Sequence, residues 1–297
     1  MQGWRKSMED EHICEINILN EASIFGVFDG HGGYANSGRE VAIFVKRHIK
    51  EELISLQSFQ NEDYRLALIE CFLNLDKRLE SPAGRLEIKE IESSITEKSL
   101  LFASTSTENK ANYVGCTACV ALITKNKIYV ANAGDSRCVL CVNGKSVELS
   151  KDHKPDHPDE RTRINKAKGY VENNRINGVL NLSRSIGDLE FKKNKDFKQS
   201  EQIVTSYPDI REHSIGFDAD FLIIACDGIW DCLTSQSACD KFKERITSIS
   251  KSKEKNLKNT NIVSEILDNI LAKNVTTSGG IGCDNMTCIL VVFTKPN

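Results

Sequence analysis

Four short apolar runs each stand beside an acidic residue, and this repeated arrangement constrains the fold of the 297-residue chain more than any other feature. Residues 24–28 run into Asp29-Gly30-His31-Gly32-Gly33, 128–131 into Asn132-Ala133-Gly134-Asp135, and 221–226 into Asp227-Gly228. Asp284-Asn285 comes immediately before the run 286–293. Runs of that length and composition read as buried strands, which places each carboxylate at a strand end held by a core. A fifth cluster, Met8-Glu9-Asp10-Glu11, precedes another expected strand. Carboxylates that converge repel one another and raise each other's pKa unless cations neutralise them. An oxygen-only set of this size points to hard divalent ions, Mg²⁺ or Mn²⁺.

Between the strand runs the apolar period changes. Val41, Val45, Ile49 and Leu53 recur every fourth residue, as do Leu68 and Phe72 with Leu75 and Leu79 following, so helices are expected over 34–56 and 61–80. A later pair of stripes is marked by Ala238, Phe242, Ile246 and Ile249, then by Val263, Ile266, Leu267, Ile270 and Leu271. Asn143-Gly144 signals a tight hairpin within 139–149. Helices in consecutive pairs, with strands grouped and joined by hairpins, favour an α+β layered fold over a βαβ repeat. No internal repeat or linker divides residues 1–297, so a single domain is expected. Residues 81–112 are polar and lack a clear period, and 250–260 are rich in Lys and Asn; both are expected as loop insertions. The basic stretch 192–198 is expected as a solvated loop.

A formal charge of −3 gives no electrostatic reason to expect nucleic acid or an anionic membrane as partner. No apolar stretch approaches the roughly 20 residues needed to span a bilayer. The first residues do not resemble a signal peptide, and position 2 is Gln rather than the Gly that myristoylation requires. Eleven cysteines, mostly within apolar runs, fit reduced core thiols in a cytoplasmic or nuclear setting. Cys116-x-x-Cys119 and Cys138-x-x-Cys141 match a zinc-ribbon spacing. Both pairs fall in expected strands, where residues i and i+3 face opposite ways, so packing is the better reading.

Glu9, Asp29, Asp227 and Asp284 together carry −4, which two divalent ions neutralise, leaving Arg5 to favour a phosphate dianion. Such a pair of ions acidifies a water that can attack phosphorus in line. A phosphoserine or phosphothreonine substrate would leave as an alkoxide that needs a proton, and His31, two residues from Asp29, is the natural general acid. His153 reads instead as a loop-holding residue. Gly30-x-Gly32-Gly33 lacks the features of a nucleotide-binding loop. Two other readings compete. A different two-metal phosphoester hydrolase such as a nuclease should show a basic, aromatic-studded face, which is not found. A non-catalytic phosphoprotein-binding relative should have lost metal carboxylates, and all are present.

Arg5-Lys6-Ser7-Met8-Glu9-Asp10, Val27-Phe28-Asp29-Gly30-His31-Gly32-Gly33, Gly115-Cys116-Thr117-Ala118, Asn132-Ala133-Gly134-Asp135-Ser136-Arg137, Leu182-Ser183-Arg184-Ser185-Ile186-Gly187-Asp188, Ala225-Cys226-Asp227-Gly228-Ile229-Trp230-Asp231 and Cys283-Asp284-Asn285-Met286-Thr287 stand in this order. The set resembles the metal-dependent serine/threonine protein phosphatases of the type 2C (PPM) family, from about residue 3 to 293. The resemblance implies a central β-sandwich of two antiparallel sheets with helices on both outer faces. It implies a monomer acting on phosphoproteins without a phosphoenzyme. Asp29 would bridge two Mg²⁺ or Mn²⁺ ions, with Glu9 and the Gly30 carbonyl on one and Asp227 and Asp284 on the other. Asp135 with Asp227 would hold a weaker third ion. Asp10, Thr117 and Asn285 would stand behind these ligands, Arg5 would bind phosphate, and His31 would be the acid. A flap is implied at 160–178. Cys116 replaces the usual Ser, a small change. The family has a strand ahead of its arginine; with four residues before Arg5 here, fraying is expected to loosen it.

Overall fold

The computed structural model describes residues 1–19, 21–32, 38–96, 114–251 and 259–294, and in it the apolar runs are strands of two facing antiparallel sheets. The first sheet has the order β1 (Glu11–Leu19), β2 (Ala22–Phe28), β5 (Ala118–Ile123), β6 (Lys127–Ala133), β12 (Asp209–Ser214). The second has the order β14 (Cys288–Val292), β13 (Ala219–Ala225), β7 (Arg137–Val142), β8 (Lys145–Glu148). A small sheet joins β11 (Ile186–Gly187), β4 (Val114–Cys116) and β3 (Gly30–Gly32), and β9 (Val171–Glu172) pairs with β10 (Arg175–Ile176). Helices α1 (Gly38–Ser55), α2 (Gln57–Gln60), α3 (Tyr64–Glu80) and α4 (Pro82–Thr96) form one outer layer. The other is α7 (Ser235–Lys251) with α8 (Asn259–Ile270), while α5 (Pro158–Lys166) and α6 (Asp227–Trp230) lie in connections.

Alternation along the first sheet explains why it can be covered on both faces. Phe25, Val27, Cys119, Ala121, Ile128 and Val130 join a core shared with Leu222, Ile224 and Leu290 of the second sheet. Their neighbours Ile24, Phe28, Val120, Leu122 and Ala131 join Val41, Val45, Phe72 and Leu75 of the helical layer. Successive side chains of a strand face opposite ways, so a strand apolar at every position demands two apolar partners. The β7–β8 hairpin turns at Asn143 (φ 50°) and Gly144 (φ 80°), the left-handed pair that a two-residue turn requires.

Three expectations are corrected. Residues 82–96 are not an aperiodic loop. Ser81 Oγ accepts from the Gly84 amide at the helix start, and Ile88 and Ile91 are buried with Ile95 beside them. Residues 97–113 lie outside the described residues, as do 252–258 between α7 and α8. Lys192 is not solvated with the rest of its basic stretch; its ammonium is buried 2.7 Å from Asp76, because that carboxylate on α3 gives it a partner. Nor does the first turn of chain fray. Met1 exchanges hydrogen bonds with Met286, the Trp4 amide donates to Cys283 and Asn285 donates to the Gln2 carbonyl. Cys116, Cys119, Cys138 and Cys141 are buried, unbridged residues of β4, β5 and β7.

Candidate metal centre

Strand register brings the acids together. In the first sheet Glu11 at the start of β1 faces Phe28 at the end of β2, and Ala118 at the start of β5 faces Ala133 at the end of β6. In the second, Ala225 at the end of β13 faces both Arg137 and Cys288, the first residues of β7 and β14. One end of the sandwich therefore collects Glu9 and Asp10, Asp29, Asp135, Asp227 and Asp284 from five separate stretches of chain. Glu9, Asp29, Asp135, Asp227 and Asp284 line one cavity of about 560 Å³. Arg5, Gly30, His31, Thr117 and Asn285 are also in its wall; Asp10 is not.

Neutral side chains hold the acids in place. The Thr117 amide donates to the Asp29 carbonyl at 2.8 Å, and Thr117 Oγ1 accepts from the Asp29 amide at 3.1 Å. The same hydroxyl is 2.8 Å from Ser136 Oγ, so one residue ties the Asp29 and Asp135 loops together. Asn285 Oδ1 accepts from the Glu9 amide at 2.8 Å while its Nδ2 donates to the Ser7 carbonyl at 2.9 Å. Asn285 thereby fixes the Glu9 segment beside Asp284. Gly30 is required by close packing: a Cβ there would lie 2.5 Å from the Gly38 carbonyl and 2.7 Å from that of Glu9.

The electrostatics of this nest are unfavourable without cations. Burial pushes the Asp29 carboxyl well above its ordinary range, and repulsion from Asp10, Asp227, Asp135 and Asp284 adds to the shift. Burial, with repulsion from Asp135 and Asp284, pushes Asp227 up to about 7. Asp10 is raised by burial as well, and neither of its oxygens has a hydrogen bond of good geometry. Donor atoms of Asp10, Asp29 and Cys226 lie within 4.8 Å of one another. Burial keeps the Cys226 thiol protonated and its sulfur already accepts from the Thr287 amide, so the oxygens are the available ligands. Converging, mutually repelling carboxylates, with both oxygens of the buried Asp10 unpaired, fit hard divalent ions. Among the described residues, Arg5 pairs with Asp284 at 2.6 Å and Lys154 with Asp135 at 2.5 Å.

Several site residues escaped the sequence reading. His31 Nε2 is 2.7 Å from Asp188 Oδ2, and Asp188 is fixed in turn by the Ser185 hydroxyl at 2.6 Å. Burial acts to lower the His31 pKa, but the Asp188 charge and hydrogen bond carry it above its ordinary value. Asp188 belongs to a recognised motif, but nothing local in the sequence pairs it with a histidine 157 positions away. Lys154, Asn181 and Leu182 were likewise given no role, although the latter two line the cavity. His153 holds its loop as expected, accepting from the Gly134 amide through Nδ1, which leaves Nε2–H to donate to Asp209.

An α-β-β-α sandwich with an acidic nest at one end of its sheets defines a class of phosphatase folds. Comparison gives the same answer. A serine-threonine phosphatase 2C from Toxoplasma gondii superposes with a TM-score of 0.70 at 22% identity, covering 98% of this chain and 92% of that one. The sequence matches the Protein phosphatase 2C family model over residues 1–279. It is 42% identical over 295 residues to Protein phosphatase 2C 1 of Paramecium tetraurelia, covering 99% of this chain and 91% of the relative. Probable protein phosphatase 2C 11 of Oryza sativa subsp. japonica is 41% identical over 318 residues, covering all of this chain and 84% of the relative. The chain belongs to the protein phosphatase 2C family, the Mg²⁺/Mn²⁺-dependent serine/threonine phosphatases. No helix among the described residues is long and apolar enough to cross a membrane.

Proposed function

We propose that the acidic nest removes phosphate from phosphoserine and phosphothreonine in proteins using two Mg²⁺ or Mn²⁺ ions and no phosphoenzyme. Glu9, Asp29, the Gly30 carbonyl, Asp227 and Asp284 would hold these two ions. Asp135 with Asp227 would hold a weaker third ion. When bound, the ions supply an acidified water as nucleophile and neutralise the carboxylates. The observation that carries this reading is the convergence in one cavity of carboxylates that repel one another, with Asp29 well above its ordinary range and Asp227 at about 7.

The remaining steps belong to the chain's own groups. Arg5 stands at the cavity rim with an exposed guanidinium, suited to a phosphate through paired N–H donors. His31 keeps Nε2–H on Asp188, so Nδ1 is the atom from which a proton reaches the leaving alkoxide. Asp10 orders water behind the ligands, while Thr117 and Asn285 keep the ligand loops in register. Residues 160–178, which lead into Asn181 and Leu182 at the cavity, act as a substrate-selecting flap. Residues 1–297 work as one catalytic domain, monomeric, with reduced thiols suited to cytoplasm or nucleus.

Initial rates on a panel of phosphoserine and phosphothreonine peptides, with chelator and then metal add-back, test this. Asp29→Ala and Asp227→Ala each abolish metal-dependent turnover while the circular dichroism spectrum stays native. Wild-type rates in either variant remove that residue from the ligand set. Cleavage of single-stranded DNA in place of phosphopeptide turnover would support the nuclease alternative instead.

A further inference from the structure

Asp135 is 3% exposed, and its carboxylate accepts from Lys154 Nζ at 2.5 Å. The same ammonium attracts Asp227 and Asp152, and it is the largest charge influence on Asp231. Lys154 thus stands among the acids where the third ion was assigned above. Its backbone has little freedom. The preceding His153 exchanges hydrogen bonds with Gly134, next to Asp135, through its amide at 2.9 Å and its Nδ1 at 3.2 Å. Asn132 Nδ2 donates to the Lys151 carbonyl at 3.0 Å, and the Lys154 carbonyl accepts from His157 at 3.1 Å. Pro155 follows, restricting Lys154 to extended backbone. The side chain is 35% exposed, so the ammonium has a route out to water along its flexible stem.

We propose that Lys154 is a tethered cation at the third-ion position, which a divalent ion enters only by displacing the ammonium from Asp135. The inference rests on the metal reading above and adds to it a reason for the third site's weakness. A cation held by a pinned backbone competes at high effective concentration. An ion that needs the open state binds with its intrinsic affinity reduced by the fraction of molecules in which the lysine has swung away. One ammonium also leaves the Asp135–Asp227 pair short of neutral, so a divalent ion still gains by replacing it.

The test is Mn²⁺ binding without substrate, followed on the full chain by the electron paramagnetic resonance signal of free Mn²⁺. Lys154→Met keeps the stem and removes the charge; Lys154→Arg keeps the charge. The expected result is a third, weakest binding step tightened about tenfold or more in Lys154→Met and unchanged or weaker in Lys154→Arg. Two earlier steps, abolished by Asp29→Ala, stay in place in both lysine variants. A third step that fails to tighten in Lys154→Met, with the Asp29-dependent steps intact, overturns this inference and leaves the two-ion reading standing. Absence of any Asp29-dependent step in the wild type overturns both. Thermal melts confirm that each variant is folded, and Lys154→Gln replaces Lys154→Met if the latter is not.

Discussion

Asp29 is a half-buried carboxylate and Glu160 a buried one, and their surroundings are opposite. Glu160 accepts from Arg163 Nη1, Arg184 Nη2 and Ser183 Oγ, each at 2.6 Å. Burial acts to raise its pKa, yet the Arg184 hydrogen bonds and the two guanidinium charges hold it at about 2. Arg184 continues to Asp209 at 2.7 Å, and Arg163 to the Ser183 carbonyl at 2.6 Å, so the network closes on itself. Asp29 instead faces Asp10, Asp135, Asp227 and Asp284, all of which push its proton affinity upward. A buried acid whose partners are built in is part of the scaffold. One whose neighbours are other acids is held in place for a cation that arrives later.

The sharpest way to break this contrast is to neutralise each acid in turn. Asp29→Asn should lower metal-dependent phosphopeptide turnover by about a thousandfold or more, since it removes the carboxylate proposed above as a ligand of both ions. In chelator, the same substitution should raise the melting temperature, because it relieves repulsion that no cation offsets. Glu160→Gln should do the reverse to stability, lowering it by about 3 kcal/mol in urea denaturation because two buried guanidinium groups lose their counter-charge. If Asp29→Asn melts lower than the wild type in chelator, the nest is not frustrated and the contrast fails.

Acid sharpens the same comparison. Glu160 has its pKa depressed from the ordinary 4.5 to about 2, so its stabilising contribution is complete above 4.5 and is lost as pH falls from there toward 2. That gap corresponds to roughly 3 kcal/mol. Urea midpoints measured across this window should fall steeply for the wild type and more gently for Glu160→Gln. Parallel slopes would mean that other carboxylates, rather than this network, set the acid limit.

What the sequence revealed follows from range. Asp29, Asp135, Asp227 and Asp284 could be found because an acid beside an apolar run is a local pattern, and strand ends place such acids predictably. The Asn143-Gly144 hairpin was legible for the same reason. Helix α4 was missed because Ile88, Ile91 and Ile95 sit among polar residues; Ser81 as cap and Pro82 at the first helical position were the available signals. Pairing of Lys192 with Asp76, and of His31 with Asp188, depends on partners 116 and 157 positions apart, and no periodicity carries that information. Anchoring of the first residues against 283–286 is likewise long-range. The division of roles among the acids came from the family resemblance rather than from spacing.

Thr117 offers the smallest and finest test, because it belongs to the nest yet acts as scaffold. Its hydroxyl accepts from the Asp29 amide and meets Ser136, so it joins two acidic loops without touching phosphate or metal chemistry itself. Thr117→Val preserves the branched shape and leaves the Asp29 amide without that acceptor, which should cost about 1–2 kcal/mol in urea denaturation. The looser Asp29 loop should lower kcat/KM by about tenfold and weaken Mn²⁺ binding, while Thr117→Ser, which keeps the hydroxyl, should restore most of both. A Thr117→Val enzyme that loses stability but binds Mn²⁺ as tightly as the wild type would show that the clamp supports the fold alone. In that case the geometry of the nest must be fixed by the strand ends themselves.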